Sequence, residues 1–100
     1  MGEGQGRAPQ VRQALTWSVV ISRRALKEMA SLPKPVVARI TEAIDGLREE
    51  PRPAGVKKLK GREEYLWRIR IGNYRVVYSI EEKIRVVEVR DVGHRSSIYR

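Results

Sequence analysis

Residues 65–71 (YLWRIRI) and 74–80 (YRVVYSI) are two strand-length runs separated only by Gly72 and Asn73. A two-residue connection containing glycine specifies an antiparallel hairpin, because the turns that match strand twist need a positive φ that glycine adopts freely. Loop length also sets register: Ile71 faces Tyr74, Arg70 faces Arg75 and Arg68 faces Val77. Side chains alternate between the two faces of a strand. Tyr65, Trp67, Ile69 and Ile71 therefore share one face, expected to meet a covering layer, and Leu66, Arg68 and Arg70 share the other. Cross-strand partners lie on the same face, so Arg75 joins Arg68 and Arg70.

That arrangement works against folding. Like charges directly opposite each other destabilise a hairpin by a few tenths to about 1 kcal/mol. The arginines either fan apart into water, meeting Glu63, Glu64 or Glu88, or grip an anion together. For one arginine the solvated reading is the better; for three on one patch, a phosphate site is. The charge of the whole chain points the same way. Lys and Arg number 21 against 12 acidic residues, a net charge of +9. The excess is concentrated around the hairpin, where Lys57, Lys58, Lys60, Arg62, Arg68, Arg70 and Arg75 face only Glu63 and Glu64. A polyanion is the expected partner, with nucleic acid ahead of an acidic membrane.

The rest of the chain supplies a cover for the apolar face. Residues 17–21 (WSVVI) read as a buried strand. Ser22 offers an N-cap oxygen for a helix starting at Arg23, whose core face is predicted at Leu26, Met29 and Ala30. The Leu-Pro-Lys-Pro string at 32–35 stops that helix and starts another, since proline is tolerated in a first helical turn. Val36, Ile40, Ala43, Ile44 and Leu47 form the second stripe, with Arg39, Glu42, Asp45 and Glu49 off it. Residues 50–55 are loop, and residues 84–92 form a last strand reached through Glu81, Glu82 and Lys83. The expected class is α+β: a two-helix antiparallel hairpin packed on a curved, mainly antiparallel sheet of about four strands. Residues 1–15 read as a mobile extension and 16–100 as one domain.

A chain of 100 residues supports a single core. It has no cysteine, which excludes a disulfide scaffold, thiol catalysis and a cysteine-ligated zinc site, and fits a reducing cytoplasm. No apolar run reaches the ~20 residues of a membrane span, and the N-terminus lacks the apolar segment of a secretory signal. No Gly-rich phosphate loop and no metal-spaced His/Asp cluster is present, so neither cofactor nor metal is expected.

The last residues, 93–100 (GHRSSIYR), are too polar for core. His94, the single histidine, is either structural or an acid–base group, histidine being the side chain that ordinarily changes charge near neutrality. Tyr99 packs its ring in a groove, stacks on a base, or does both. Ser96 and Ser97 lack the histidine–carboxylate arrangement of a nucleophile. Asp91, with Glu63 and Glu64, reads as a charge partner of the basic cluster.

Three strings, Leu59-Lys-Gly61, the R-x-R-x-G-x-Y-R-x-x-Y run from Arg68 to Tyr78, and the G-H-R…Y-R ending, resemble the RelE/ParE superfamily of type II toxin–antitoxin toxins over about residues 17–100. The resemblance implies a small α+β fold with a curved antiparallel sheet, and one of two activities. RelE-like members cut messenger RNA in the ribosomal decoding site; ParE-like members inhibit DNA gyrase. A non-catalytic nucleic-acid-binding module is the third reading. By motif, the RelE-like active residues fall on Arg68, Arg70, Arg75, Arg95 and Tyr99, with His94 as the residual acid–base candidate and Lys57, Lys58, Lys60 and Arg62 as substrate-binding cations. The first two positions are often lysine in that group. Arginine there binds phosphate but makes a poor general base, because it stays protonated. The resemblance also implies a cognate antitoxin, the ribosome and mRNA as partners, operator DNA bound only through the antitoxin complex, no membrane, and a cytoplasmic location.

Overall fold

The computed structural model describes residues 16–59 and 66–94. The expected extension at 1–15, together with Lys60, Arg62, Glu63, Glu64, Tyr65, Arg95, Ser96, Ser97 and Tyr99, lies outside them. In chain order the elements are β1 (Ser18–Ile21), α1 (Arg23–Ala30), α2 (Lys34–Gly46), β2 (Lys57–Leu59), β3 (Leu66–Ile71), β4 (Tyr74–Glu81) and β5 (Val86–His94). The strands form one sheet in the order β1-β5-β4-β3-β2. β1 runs parallel to β5 and every other pair is antiparallel. The sheet thus has five strands where about four were expected. The additional one is β2, whose sequence, Lys-Lys-Leu, is too short and too charged to show a strand period.

Ser22 caps α1 as its sequence predicts: its Oγ accepts from the Ala25 N–H at 3.0 Å. The same hydroxyl donates to the Arg90 carbonyl at 3.1 Å, tying the helix start to β5. The buried face of α1 differs from expectation. Ala25 and Met29 point inward, whereas Leu26 is 53% exposed and Ala30 is exposed. The stretch 25–30 holds two candidate stripes at helical spacing, and packing against the sheet buries the one through Ala25 and Met29 rather than the one through Leu26. α2 begins after Pro33 with Pro35 in its first turn. It buries Ile40 and Ile44, with Leu47 just beyond its end, as the periodicity requires.

These helical residues form one core with Trp17, Ile69, Val76, Tyr78, Val87, Val89 and Val92. Each fully buried branched or aromatic side chain contributes about 1.5–3 kcal/mol. Leu66 and Val77 are also buried but belong to the opposite face and stand outside that cluster. The sheet is therefore two-sided, with the helices on one side.

β5 starts at Val86, two residues later than the alternation at Ile84 suggests, because residues 82–85 form the turn. Arg85 closes that turn at φ 54°. A non-glycine residue there is strained, and it is braced by its guanidinium lying 4.5 Å from the centre of the Trp17 ring. The β3–β4 turn uses Gly72 at φ 61°, the glycine-first arrangement of a two-residue hairpin. A side chain at 72 would also meet Arg39, whose Nη2 would lie 3.3 Å from an added Cβ.

Candidate nucleic-acid interface

The hairpin pairs as its loop length demands: Arg70 opposite Arg75, Arg68 opposite Val77, Ile71 opposite Tyr74. β2 then adds a cation that hairpin arithmetic alone does not place. Lys57 pairs with Arg68, so Lys57, Arg68, Arg70 and Arg75 occupy the face away from the helices. Their exposure is unequal. Arg68 and Arg75 are 5% and 7% exposed, whereas Arg70 and Lys57 are open to solvent. Removing a guanidinium from water is costly unless its donors are engaged, and both inner arginines have interaction partners. The face combines two buried inner cations with two accessible outer ones. Guanidinium is suited to this because its planar fork presents paired donors to a phosphate.

Two expected members of the cluster stand elsewhere. Lys58 pairs with Trp67 and so lies on the helix-facing side. Its ammonium sits 5.7 Å from the centre of that indole, and the Arg52 guanidinium is 4.9 Å from it. This is a cation–π clamp on the β2–β3 edge rather than part of the arginine face. His94 pairs with Tyr74, on the same face as Val76 and Val92, and the two rings meet edge to face with centroids 5.6 Å apart. A register shift between Val77 and Tyr78 is the cause: Tyr78 pairs with Val89 but Val77 pairs with Asp91, leaving Arg90 as an extra residue. One inserted residue reverses the faces of everything after it. Uninterrupted alternation from Val87 would have put His94 beside the arginines. Arg95 and Tyr99 lie outside the described residues, as do Lys60 and Arg62.

Asp91 shares the arginine face by register with Val77, and its Oδ1 lies 2.9 Å from Nε of Arg24 on α1. Helical spacing predicts only that Arg39 leaves the core stripe; its place over the hairpin turn depends on how α2 docks. Among the described residues no group of three or more His, Cys, Asp or Glu side chains gathers as for a metal ion. No helix among them is long and apolar enough to cross a membrane.

Two helices on a five-stranded sheet, with arginines gathered on the opposite face, define an α+β protein with a basic sheet face. The chain belongs to the ParE toxin family of type II toxin–antitoxin systems (parDE), whose family model matches residues 19–99. The toxin RelE of Mycobacterium tuberculosis is 34% identical over 85 residues, covering 84% of this chain and 87% of that one. Among solved structures, the archaeal RelE–RelB complex from Pyrococcus horikoshii superimposes with a TM-score of 0.72 at 36% identity, over 82% of this chain and 98% of the other. The intact E. coli RelBE toxin–antitoxin complex does so with a TM-score of 0.67 at 30% identity, over 78% and 95%.

Proposed function

We propose that this toxin inhibits translation by cutting messenger RNA on the ribosome. The observation that carries the proposal is the gathering of Lys57, Arg68, Arg70 and Arg75 on one sheet face against their mutual repulsion. RNA supplies its own nucleophile. The 2′-hydroxyl oxygen attacks the adjacent phosphorus in line, the P–O5′ bond breaks, and the products are a 2′,3′-cyclic phosphate and a 5′-hydroxyl. One proton leaves the 2′-oxygen and one reaches the departing 5′-oxygen. The protein must hold the in-line geometry and stabilise the extra negative charge.

In this reading Arg70 and Arg75 hold the scissile phosphate and Arg68 a neighbouring one, while Lys57 steers the strand. Arg95 screens the charge on the leaving oxygen and Tyr99 stacks on or positions a base. His94, beside Tyr74 on the other face, is given no acid–base role in this reading. Arginines stay protonated, so the described face stabilises charge better than it accepts a proton. Cleavage is therefore expected to be weak on naked RNA and strong where the ribosome positions the substrate.

The partner is a cognate antitoxin with an acidic or amphipathic segment, in line with the antitoxin-bound relatives. Operator DNA is bound through that complex, and the site of action is the cytoplasm. Gyrase inhibition is the second reading, favoured by the match to the ParE toxin family model. Primer extension on transcripts after brief induction separates the two. Discrete 5′-hydroxyl ends within codons support the ribonuclease; intact transcripts with altered plasmid supercoiling support the gyrase inhibitor.

A further inference from the structure

β2 stops pairing with β3 at Lys57, opposite Arg68, although β3 runs on to Ile71. In a two-residue hairpin the residues flanking the loop exchange both hydrogen bonds, and bonded and non-bonded pairs then alternate. Ile71, Ile69 and Trp67 thus direct their backbone groups to β4. The N–H and C=O of Arg70 point outward, past the end of β2. They face a cleft of about 730 Å³ whose other walls are Ala43 and Gly46 of α2 and the small-residue loop through Ala54, Gly55 and Val56. Lys57, Arg68, Ile69 and Arg70 contribute to its lining as well; Lys57 and Arg70 are solvent-exposed at the rim, and Arg68 is buried.

We propose that this cleft takes the unpaired base of a nucleotide whose phosphate is held by Arg70 and Lys57. The proposal rests on the ribonucleic-acid reading above and assigns a second subsite to it. The walls are small and apolar, as a flat aromatic ring requires. The Arg70 N–H and C=O form one adjacent donor–acceptor pair, which matches the Watson–Crick edge of a base in single-stranded RNA. The two rim cations match its phosphate in charge. A β-strand from a partner protein fits less well. The next outward-pointing residue of β3 would be Gly72, which is already in the turn, so only one residue's pair is open and a strand needs a row of them.

Gly46 provides a clean probe. It ends α2, a Cβ added there meets nothing within 4 Å, and its φ is not positive. Gly46→Leu therefore adds bulk inside the cleft that Lys57, Arg68 and Arg70 also line, and Ala43→Leu does so one helical turn earlier, at a half-buried position packed against the core. The full chain, made by cell-free synthesis and labelled with ¹⁵N, is titrated with AMP, ribose 5-phosphate, N1-methyl-AMP and inorganic phosphate. AMP is expected to shift the Arg70 amide resonance. Ribose 5-phosphate and N1-methyl-AMP are expected to bind at least about tenfold more weakly, and phosphate to leave the Arg70 amide in place. Gly46→Leu is expected to keep its melting temperature, and both leucine variants to lose AMP binding by a similar factor.

Equal binding of AMP and ribose 5-phosphate overturns the proposal, as does parental AMP affinity in both leucine variants. So does an extended peptide that shifts the Arg70 amide when AMP does not. Primer extension keeps the two readings apart. Absent cleavage with AMP binding intact refutes the ribonuclease alone. Cleavage by Gly46→Leu at unchanged positions and yield refutes the cleft alone.

Discussion

Arg70 and Arg75 stand directly opposite each other across β3 and β4, the first exposed and the second buried. Two like charges in register are a cost that the hairpin carries for its face rather than for its fold. The bond pattern of the turn leaves no alternative, since a one-residue slip would send the arginines into the helix-facing core.

Replacing Arg70 with glutamate should separate stability from activity. The new pair is attractive, so the variant gains a few tenths to about 1 kcal/mol, which for a domain of this size raises the melting temperature by up to about 4–8 °C. Growth inhibition on induction should disappear, because a phosphate would now meet a carboxylate. Arg75→Ala should also lose toxicity, with circular dichroism showing a folded chain. A toxic, folded Arg75→Ala protein would refute its assignment to the scissile phosphate.

Tyr78 is fully buried, and its hydroxyl donates to the Pro51 carbonyl at 2.6 Å, anchoring the loop that leads to β2. Tyr78→Phe leaves that carbonyl without the donor and should cost about 1–3 kcal/mol by urea denaturation.

The same phenol predicts an alkaline transition. Burial, the largest cause, pushes its pKa well above the ordinary tyrosine value. Below about pH 10 the group is neutral in both folded and unfolded chains, and stability is unaffected. Above that, only the unfolded chain ionises, so stability falls by up to about 1.4 kcal/mol per pH unit from this group until the folded pKa is reached. Absorbance at 295 nm should show one tyrosinate appearing only with unfolding, and Tyr78→Phe should remove it.

Glu28 on α1 accepts from the Val92 N–H at 2.8 Å, satisfying the β5 edge beyond the end of β1. Glu28→Ala should cost about 1–3 kcal/mol by exposing an unsatisfied donor, and Glu28→Gln, which keeps an acceptor oxygen, should recover most of it. Arg24 reaches both Glu28 and Asp91 but is 75% exposed, so Arg24→Ala should change stability by no more than about 1 kcal/mol.

The docking of α1 is tested by two neighbouring substitutions. Leu26→Lys should leave the melting temperature nearly unchanged, within about 0.5 kcal/mol, as exposed positions do. Met29→Ala should destabilise by about 2 kcal/mol or more, because it opens a cavity in the core.

Local constraints account for what was readable from the chain. The Gly72–Asn73 loop sets the register of its own strands, Ser22 caps the helix that follows it, and the spacing from Val36 to Leu47 defines one apolar face of α2. Each depends on residues near one another in sequence. Three features escaped. Lys57 and Lys58 look alike as neighbours, yet pairing with β3 sends one to the arginine face and the other over Trp67. The stripe of α1 was ambiguous until packing chose Ala25 and Met29 over Leu26.

The third feature concerns function most directly. A single extra residue at Arg90 carries His94 away from the arginines, and no local pattern in 86–94 marks it. The amino-acid order alone determined that Arg68, Arg70 and Arg75 share a face, because a two-residue turn and the pleat admit one pairing. Only the tertiary structure decided which other groups join them. Those choices depend on the partner of a three-residue strand and on a bulge. Both are set by contacts between segments far apart in the chain, where short-range stereochemistry has no hold.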